Sequence, residues 1–434
     1  MTKVWVGLVS LLVAAASLAA TVNAAPARLK WKRPAVTVAI SSSLLAETPN
    51  VPSRGEALDA IEKSLKTWSA AANVTLRPVT SQLQNVDPAG QQGDGVSLLT
   101  IAATPENVAL FPKGGEDAAA RTRIFFDARG FITEADIVLN PFIQFSNGGL
   151  PGTFDLQGTV THELGHLLGL PHSDVIGSTM SEINSQNGIF NVTGFASRTL
   201  SGSDVAAIRA LYGPPPNDAE CCGRISGRLT LSPARPAAGW SVWAEDVLTG
   251  AVVASSRTGS DGSYTLAGLD YGSVRVLAQP AAGTRASVAA ESLGEAQISR
   301  SEPNGTLNKV VAQRTLGFEL SLIGFDQQLA NAAVMLNGGL RYRLLVAGRG
   351  LHPDTIRLGT DSPWLTITRS AESRIDFGKG LSVLEFSVSV DPAAPSGSYS
   401  LYAASASTGL SRYLIGGLTV ERFPNLLAEG TVGE

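Results

Sequence analysis

The chain has 434 residues, with 33 Lys and Arg against 37 Asp and Glu, a formal net charge of −4, and only 16% charged residues. No basic cluster stands out, so the composition excludes a nucleic-acid binder that works by charge, and nucleic acid is not expected among the partners. The length is too great for one hydrophobic core and calls for two or three domains, while plentiful Gly, Ser, Thr and Val favour β-rich structure.

Residues 1–24 read as an export signal. Lys3 precedes an apolar stretch from Val4 through Val22, and Val22-Asn23-Ala24 supplies the small residues of a cleavage site. The mature chain is expected to start near Ala25 and to be secreted, with periplasm or cell surface as other destinations. No stable membrane insertion is expected after signal cleavage; a retained anchor is the rival reading of the same stretch. Next, Val36, Val38 and Ile40 alternate within residues 32–41 as a half-buried strand does. Leu58, Ile61, Leu65, Trp68 and Ala72 then recur at intervals of three and four, which predicts a helix with Trp68 in the core. Residues 74–79, 96–102, 122–126 and 135–140 complete a mixed sheet. Acidic residues between 116 and 136 offer oxygen ligands for Ca2+, but no clear motif arranges them, and they read as a solvated loop.

The run 161–172, Thr-His-Glu-Leu-Gly-His-Leu-Leu-Gly-Leu-Pro-His, holds three of the four histidines in the chain. On a helix capped by Asp155, His162 and His166 lie one turn apart on one face, so both ring nitrogens can reach one Zn2+ ion. Glu163 is placed for proton transfer as the catalytic base. A third imidazole cannot come from the same face. Gly169 can take the left-handed conformation that ends a helix, and Pro171 helps fix the path that brings His172 to the metal. Three protein nitrogens leave one tetrahedral position open, the mark of a catalytic zinc rather than a structural one. A chance set of histidines on an amphipathic helix leaves Gly169 and His172 unexplained.

The motif and the run His172-Ser-Asp-Val-Ile-Gly-Ser-Thr-Met180 resemble the metzincin zinc metalloproteases, in the matrixin branch, and the segment from Leu200 through Asp204 to Gly213 is similar to that family's closing helix. The likeness covers about residues 28–213. It implies an α+β catalytic domain, a mixed twisted sheet plus a zinc helix, with Met180 as a non-ligating floor under the metal and Asp204 as a supporting acid. Ser203 stands where the animal enzymes carry the first acid of a pair. No cysteine precedes the zinc helix to match their latency switch, and the histidines of their structural zinc are absent.

Cys221 and Cys222 adjoin the end of this region. Neighbouring Cα atoms across a trans peptide lie about 3.8 Å apart, short for a disulfide, so an inert or easily reduced pair is expected. Residues 214–222, opening with Pro214-Pro-Pro216, read as a stiff linker spacing the modules. Short strands at residues 225–231, 240–245, 251–256, 263–266 and 274–278, split by turns at Thr249-Gly250 and Asp261-Gly262, predict an all-β sandwich over 223–316. The run Asp261-Gly-Ser-Tyr-Thr-Leu-Ala-Gly-Leu269 resembles the transthyretin-like carboxypeptidase regulatory module. Residues 284–316 are weakly patterned. Strands at 342–347, 381–390 and 399–403 predict a second, immunoglobulin-like sandwich over 317–422, followed by a tail at 423–434. Trp240, Trp243 and Trp364 read as core, and His352 as a loop residue.

The fold class expected is therefore multidomain: a metzincin-type α+β domain at 25–213 followed by two all-β sandwiches. The function expected is that of a secreted zinc metalloendopeptidase acting on a protein or peptide substrate. The rivals are an extracellular adhesion or glycan-binding protein with a vestigial protease fold, whose C-terminal β-domains bind a glycan or protein ligand, and an enzyme that processes its own C-terminal region. Retention of Glu163 argues against a binding-only site, which has no need of a base.

Overall fold

The computed structural model describes residues 29–421 except 47, 88–92, 117, 183–185, 192–194, 219, 233–234, 282–286, 326–327 and 377–379; the export signal and the C-terminal tail lie outside the described residues. In the first part of the chain the elements run β1 Lys30–Trp31, β2 Ala35–Ser41, α1 Arg54–Ala71, β3 Thr75–Ser81, β4 Leu98–Thr100, α2 Pro105–Val108, β5 Ala120–Phe126 and β6 Phe131–Leu139. The short strands β7 Phe145–Ser146 and β8 Phe154–Asp155 then lead to α3 Leu156–Leu167 and α4 Gly202–Tyr212. The main sheet has the order β1-β6-β4-β2-β3, with parallel neighbours, and β5 adds to β6 as an antiparallel edge.

Alternation predicted β2, and its Val36, Val38 and Ile40 are buried. Helix α1 opens with a capping box between Ser53 and Glu56, and it buries Ile61, Leu65 and Trp68. Trp68 donates its Nε1 hydrogen to the carbonyl of Thr161 at 2.7 Å, which ties α1 to the middle of α3. Both helices share one core with Leu99, Ile137 and Ile208, where each buried Leu or Ile contributes about 1.5–3 kcal/mol.

The solvated-loop reading fails for Glu134 and Asp136, which lie on β6 and are only 1% and 2% exposed. They share one face of the strand, and the amides of Gly95 and Leu98 donate to them. Burial, opposed by the Leu98 hydrogen bond and reinforced by the charge of Glu134, pushes the Asp136 carboxyl up to about 7. The unfolded chain therefore ionises Asp136 near pH 4 while the folded chain holds the proton. This contribution to stability is complete below pH 4 and is lost as pH rises to about 7. Asp136→Asn keeps the acceptor for Leu98 and should flatten the fall in stability across that window, as measured by urea unfolding at a series of pH values.

Past α4 the chain is all β: β9 Cys221–Ser232, β10 Arg235–Pro236, β11 Trp240–Asp246, β12 Val252–Arg257, β13 Ser263–Asp270, β14 Gly272–Pro280, β15 Glu291–Ile298, β16 Asn304–Thr306 and β17 Lys309–Val310. Strand β9 is flanked by β10, β13, β16 and β17, and a second sheet runs β12-β11-β14-β15. Leu229 and Leu266 of the first sheet share a core with Trp240 and Val276 of the second. Then follow β18 Leu322–Phe325, β19 Gln328–Ala330, β20 Val334–Asn337, β21 Arg341–Arg349, β22 Ile356–Gly359, β23 Leu365–Asp376, β24 Leu381–Val390, β25 Gly397–Ser405 and β26 Ser411–Glu421. They form sheets β19-β18-β21-β24-β23 and β20-β26-β25-β22 around a core that includes Val346, Phe386, Leu401 and Leu418.

Four expectations need amendment. Within the weakly patterned 284–316 lie β15, β16 and β17; the ladder between β14 and β15 shifts register at Val276, which breaks the two-residue period that pattern reading relies on. The proline-rich linker does not space the modules. Ala206 of α4 enters the core of the first sandwich, and Gly268 (φ +77°) lies so close that a Cβ there would meet the Ala206 carbonyl oxygen at 2.1 Å. Although the separation across a trans peptide counted against it, Cys221 and Cys222 form a vicinal disulfide, across a cis peptide bond. Trp240 and Trp243 are core residues, whereas Trp364 is half-buried at the margin of its core.

Candidate metal centre

Helix α3 starts where Asp155 accepts the amide hydrogen of Gly158 at 2.6 Å and pairs with Arg198. From that fixed start the helical period carries His162 and His166 to one face, with ring centroids 4.7 Å apart. The helix ends at Gly169 (φ +95°), where a Cβ would meet the carbonyl oxygen of Leu29 at 2.3 Å, so both the turn and the close approach require glycine. Beyond it the chain doubles back and sets the ring of His172 5.3 Å from that of His162 and 4.8 Å from that of His166. One ring nitrogen from each of the three lies within 4.8 Å of the others.

The Nδ1 of His162 sits 2.7 Å from the Thr179 carbonyl oxygen, and that of His166 lies 2.8 Å from the Leu170 carbonyl oxygen. A carbonyl only accepts, so each Nδ1 carries the proton and each Nε2 keeps its lone pair for the centre. Burial pushes both imidazoles down to about 4, so at neutral pH they are uncharged, the form that ligates a metal. Among the described residues, Asp87, Asp94 and Glu134 also bring ligand atoms together, but only the histidine group has the nitrogen donors that suit zinc.

Met180, 2% exposed, packs against Gly165, where a Cβ would collide with its sulfur at 2.2 Å. Asp204 is not among the residues that gather ligand atoms with the histidines. It caps α4 with Ser201 and accepts from the hydroxyl of Ser178 and the amides of Thr179 and Met180 at 2.5, 2.8 and 3.3 Å. Because the Thr179 carbonyl in turn holds His162, Asp204 connects the closing helix to the first histidine through the methionine turn.

Glu163 is 5% exposed, and the hydroxyl of Thr122 on edge strand β5 donates to its carboxylate at 2.5 Å. Sequence reading missed Thr122, Ser178 and Gly165. The first two act across long chain separations that no local pattern signals; Gly165 stood inside the motif, but its need for a missing side chain shows only once Met180 is in place. Thr122→Val removes the hydrogen bond at nearly constant volume. If Glu163 acts as the expected base, a fall of roughly tenfold in kcat with little change in KM should appear in steady-state kinetics, because its carboxylate loses its orientation while the cleft keeps its shape.

Comparison with known proteins places residues 30–213 in a match to the family model described as matrixin. Over 196 residues the chain is 28% identical to Metalloendoproteinase 1-MMP of Arabidopsis thaliana, covering 43% of this chain and 45% of that protein. The chain thus spans less than half the length of that curated relative. Among solved structures, BcpA, the major pilin subunit of Bacillus cereus, aligns with 14% identity and a TM-score of 0.19 over 46% of this chain and 69% of that one. The full-length major pilin SpaD of Corynebacterium diphtheriae aligns with 10% identity and a TM-score of 0.18 over 47% of this chain and 65% of that one.

Proposed function

From the matrixin domain at residues 30–213, we propose that this chain is an exported zinc-dependent endopeptidase that cuts extended protein or peptide substrates. One observation carries the reading: three imidazoles converge, and Glu163 follows the first of them on the same buried helix. Zinc, when bound there, supplies a Lewis acid that polarises a peptide carbonyl and acidifies water. His162, His166 and His172 would hold it. Glu163 takes the proton from the attacking water and later delivers it to the leaving nitrogen, with Thr122 holding its carboxylate in place. Strand β5, at the sheet edge next to Glu163, offers its backbone to an extended substrate as a further antiparallel strand, which gives affinity without reading sequence. Selectivity falls to the segment after the methionine turn, residues 183–198, part of which lies outside the described residues.

Export rests on the sequence of residues 1–24. No helix among the described residues is long and apolar enough to cross a membrane. The segment 223–316 is read as a module like the carboxypeptidase regulatory domains, and the two sandwiches as the place where a glycan or protein ligand would bind. Purified full-length protein loaded with zinc should release peptides from casein, stop on addition of a chelator and resume when zinc is restored. Intact casein throughout would refute the proposal, and loss of the chain's own mass alone would favour self-processing.

A further inference from the structure

His162 and His166 each lean on a carbonyl of their own domain, but among the described residues the ring of His172 has no hydrogen-bond partner, and it is the most exposed of the three. Its position therefore depends on its backbone, that is, on the loop from His172 to Met180. Every residue from 173 to 177 in this loop touches a β-sandwich. Ser173 meets Ser255 hydroxyl to hydroxyl at 3.3 Å. The carboxylate of Asp174 takes two parallel bonds from the guanidinium of Arg257 and a third, at 2.7 Å, from the hydroxyl of Ser241. Val175 is fully buried against Trp243 of the first sandwich and Tyr413 and Ile415 of the second. The Ile176 amide donates to the Ile415 carbonyl at 2.8 Å, and Gly177 has no room for a Cβ, which would meet the Thr419 hydroxyl at 2.5 Å.

We propose that the two C-terminal sandwiches are part of the metal centre: they clamp the 173–177 loop, chiefly through Arg257 on Asp174 and the pocket around Val175, and so position His172. The same grip extends past the methionine turn, where Phe190 is buried in the core of the second sandwich and its amide donates to the Gln328 side chain at 2.8 Å. Arg257 is thus a positioning residue, remote from substrate and metal, and the sandwiches do more than tether the enzyme. A bidentate arginine–carboxylate pair fixes both distance and angle, which a lysine cannot reproduce.

The inference rests on the three-histidine reading of the site, and the test separates the two. In full-length protein, zinc affinity is measured by competition with a chromophoric chelator, and the visible spectrum of the cobalt-substituted form reports ligand geometry. Arg257→Ala should weaken zinc about tenfold and alter the cobalt spectrum, with Arg257→Lys and Ser241→Ala showing smaller changes in the same direction. Arg228→Ala removes an arginine of similar exposure, paired with the more exposed Asp261 on the same sandwich but away from the loop, and should match the parent. Circular dichroism confirms that each variant is folded; Ser241→Ala, which removes only one of the three bonds to Asp174, keeps the test valid if Arg257→Ala unfolds. Unchanged affinity and spectrum in Arg257→Ala and Ser241→Ala would overturn the clamp while leaving the site intact. A parent protein that binds no zinc would overturn the site itself, and the clamp with it.

Discussion

Glu163→Gln is expected to lower kcat/KM at least about a thousandfold while the protein still binds one zinc ion per chain. Glutamine keeps the size of the side chain and an oxygen to accept the Thr122 hydroxyl, so the local packing around this 5% exposed residue survives. What disappears is the ability to take a proton from water and hand it to the leaving amine. Both events belong to the proposed reaction path, so the loss should fall on kcat, with KM little changed. Because the three histidines lie elsewhere on the helix and loop, metal content measured alongside the kinetics should match the parent. Ordinary turnover by this variant would mean that another group serves as the base.

Asp204→Ala is expected to lower stability by about 3 kcal/mol or more and to weaken zinc binding together with it. The side chain is 1% exposed and accepts from both the amide and hydroxyl of Ser201 as well as from Ser178, Thr179 and Met180. Alanine leaves these buried donors unpaired. Ser201→Ala removes only the cap and should cost about 1 kcal/mol with zinc affinity retained. The difference between the two variants, read from chelator competition and from denaturant unfolding of the zinc-free protein, isolates the route from the closing helix through Thr179 to His162. Equal effects would confine Asp204 to capping.

Much of the metal centre could be read from the chain because its logic is local. The separation of His162 from His166 is a helical turn, and the need for a glycine at 169 follows from the geometry of leaving a helix. The core face of α1 was legible for the same reason, through the spacing of Ile61, Leu65 and Trp68. What escaped was set by contacts between distant segments. Thr122 meets Glu163 only because β5 forms the sheet edge above α3. Buried Glu134 and Asp136 look like solvated acids in a sequence, even though Asp136 falls in the strand expected at 135–140, since nothing nearby announces that the amides of Gly95 and Leu98 come to meet them. The docking of the sandwiches was hidden for the same reason. Pro214-Pro-Pro216 suggested separation, and only the tertiary fold brings Arg257 to Asp174 and Ala206 into the next core.

The central claim is a zinc ion held by three imidazoles with one coordination place left for chemistry. X-ray absorption of the purified full-length protein tests it directly: one zinc per chain, with three nitrogen neighbours at about 2.0–2.1 Å and one further light atom from solvent, is the result expected. Failure to retain stoichiometric zinc, or a shell completed by a fourth protein ligand, would contradict it.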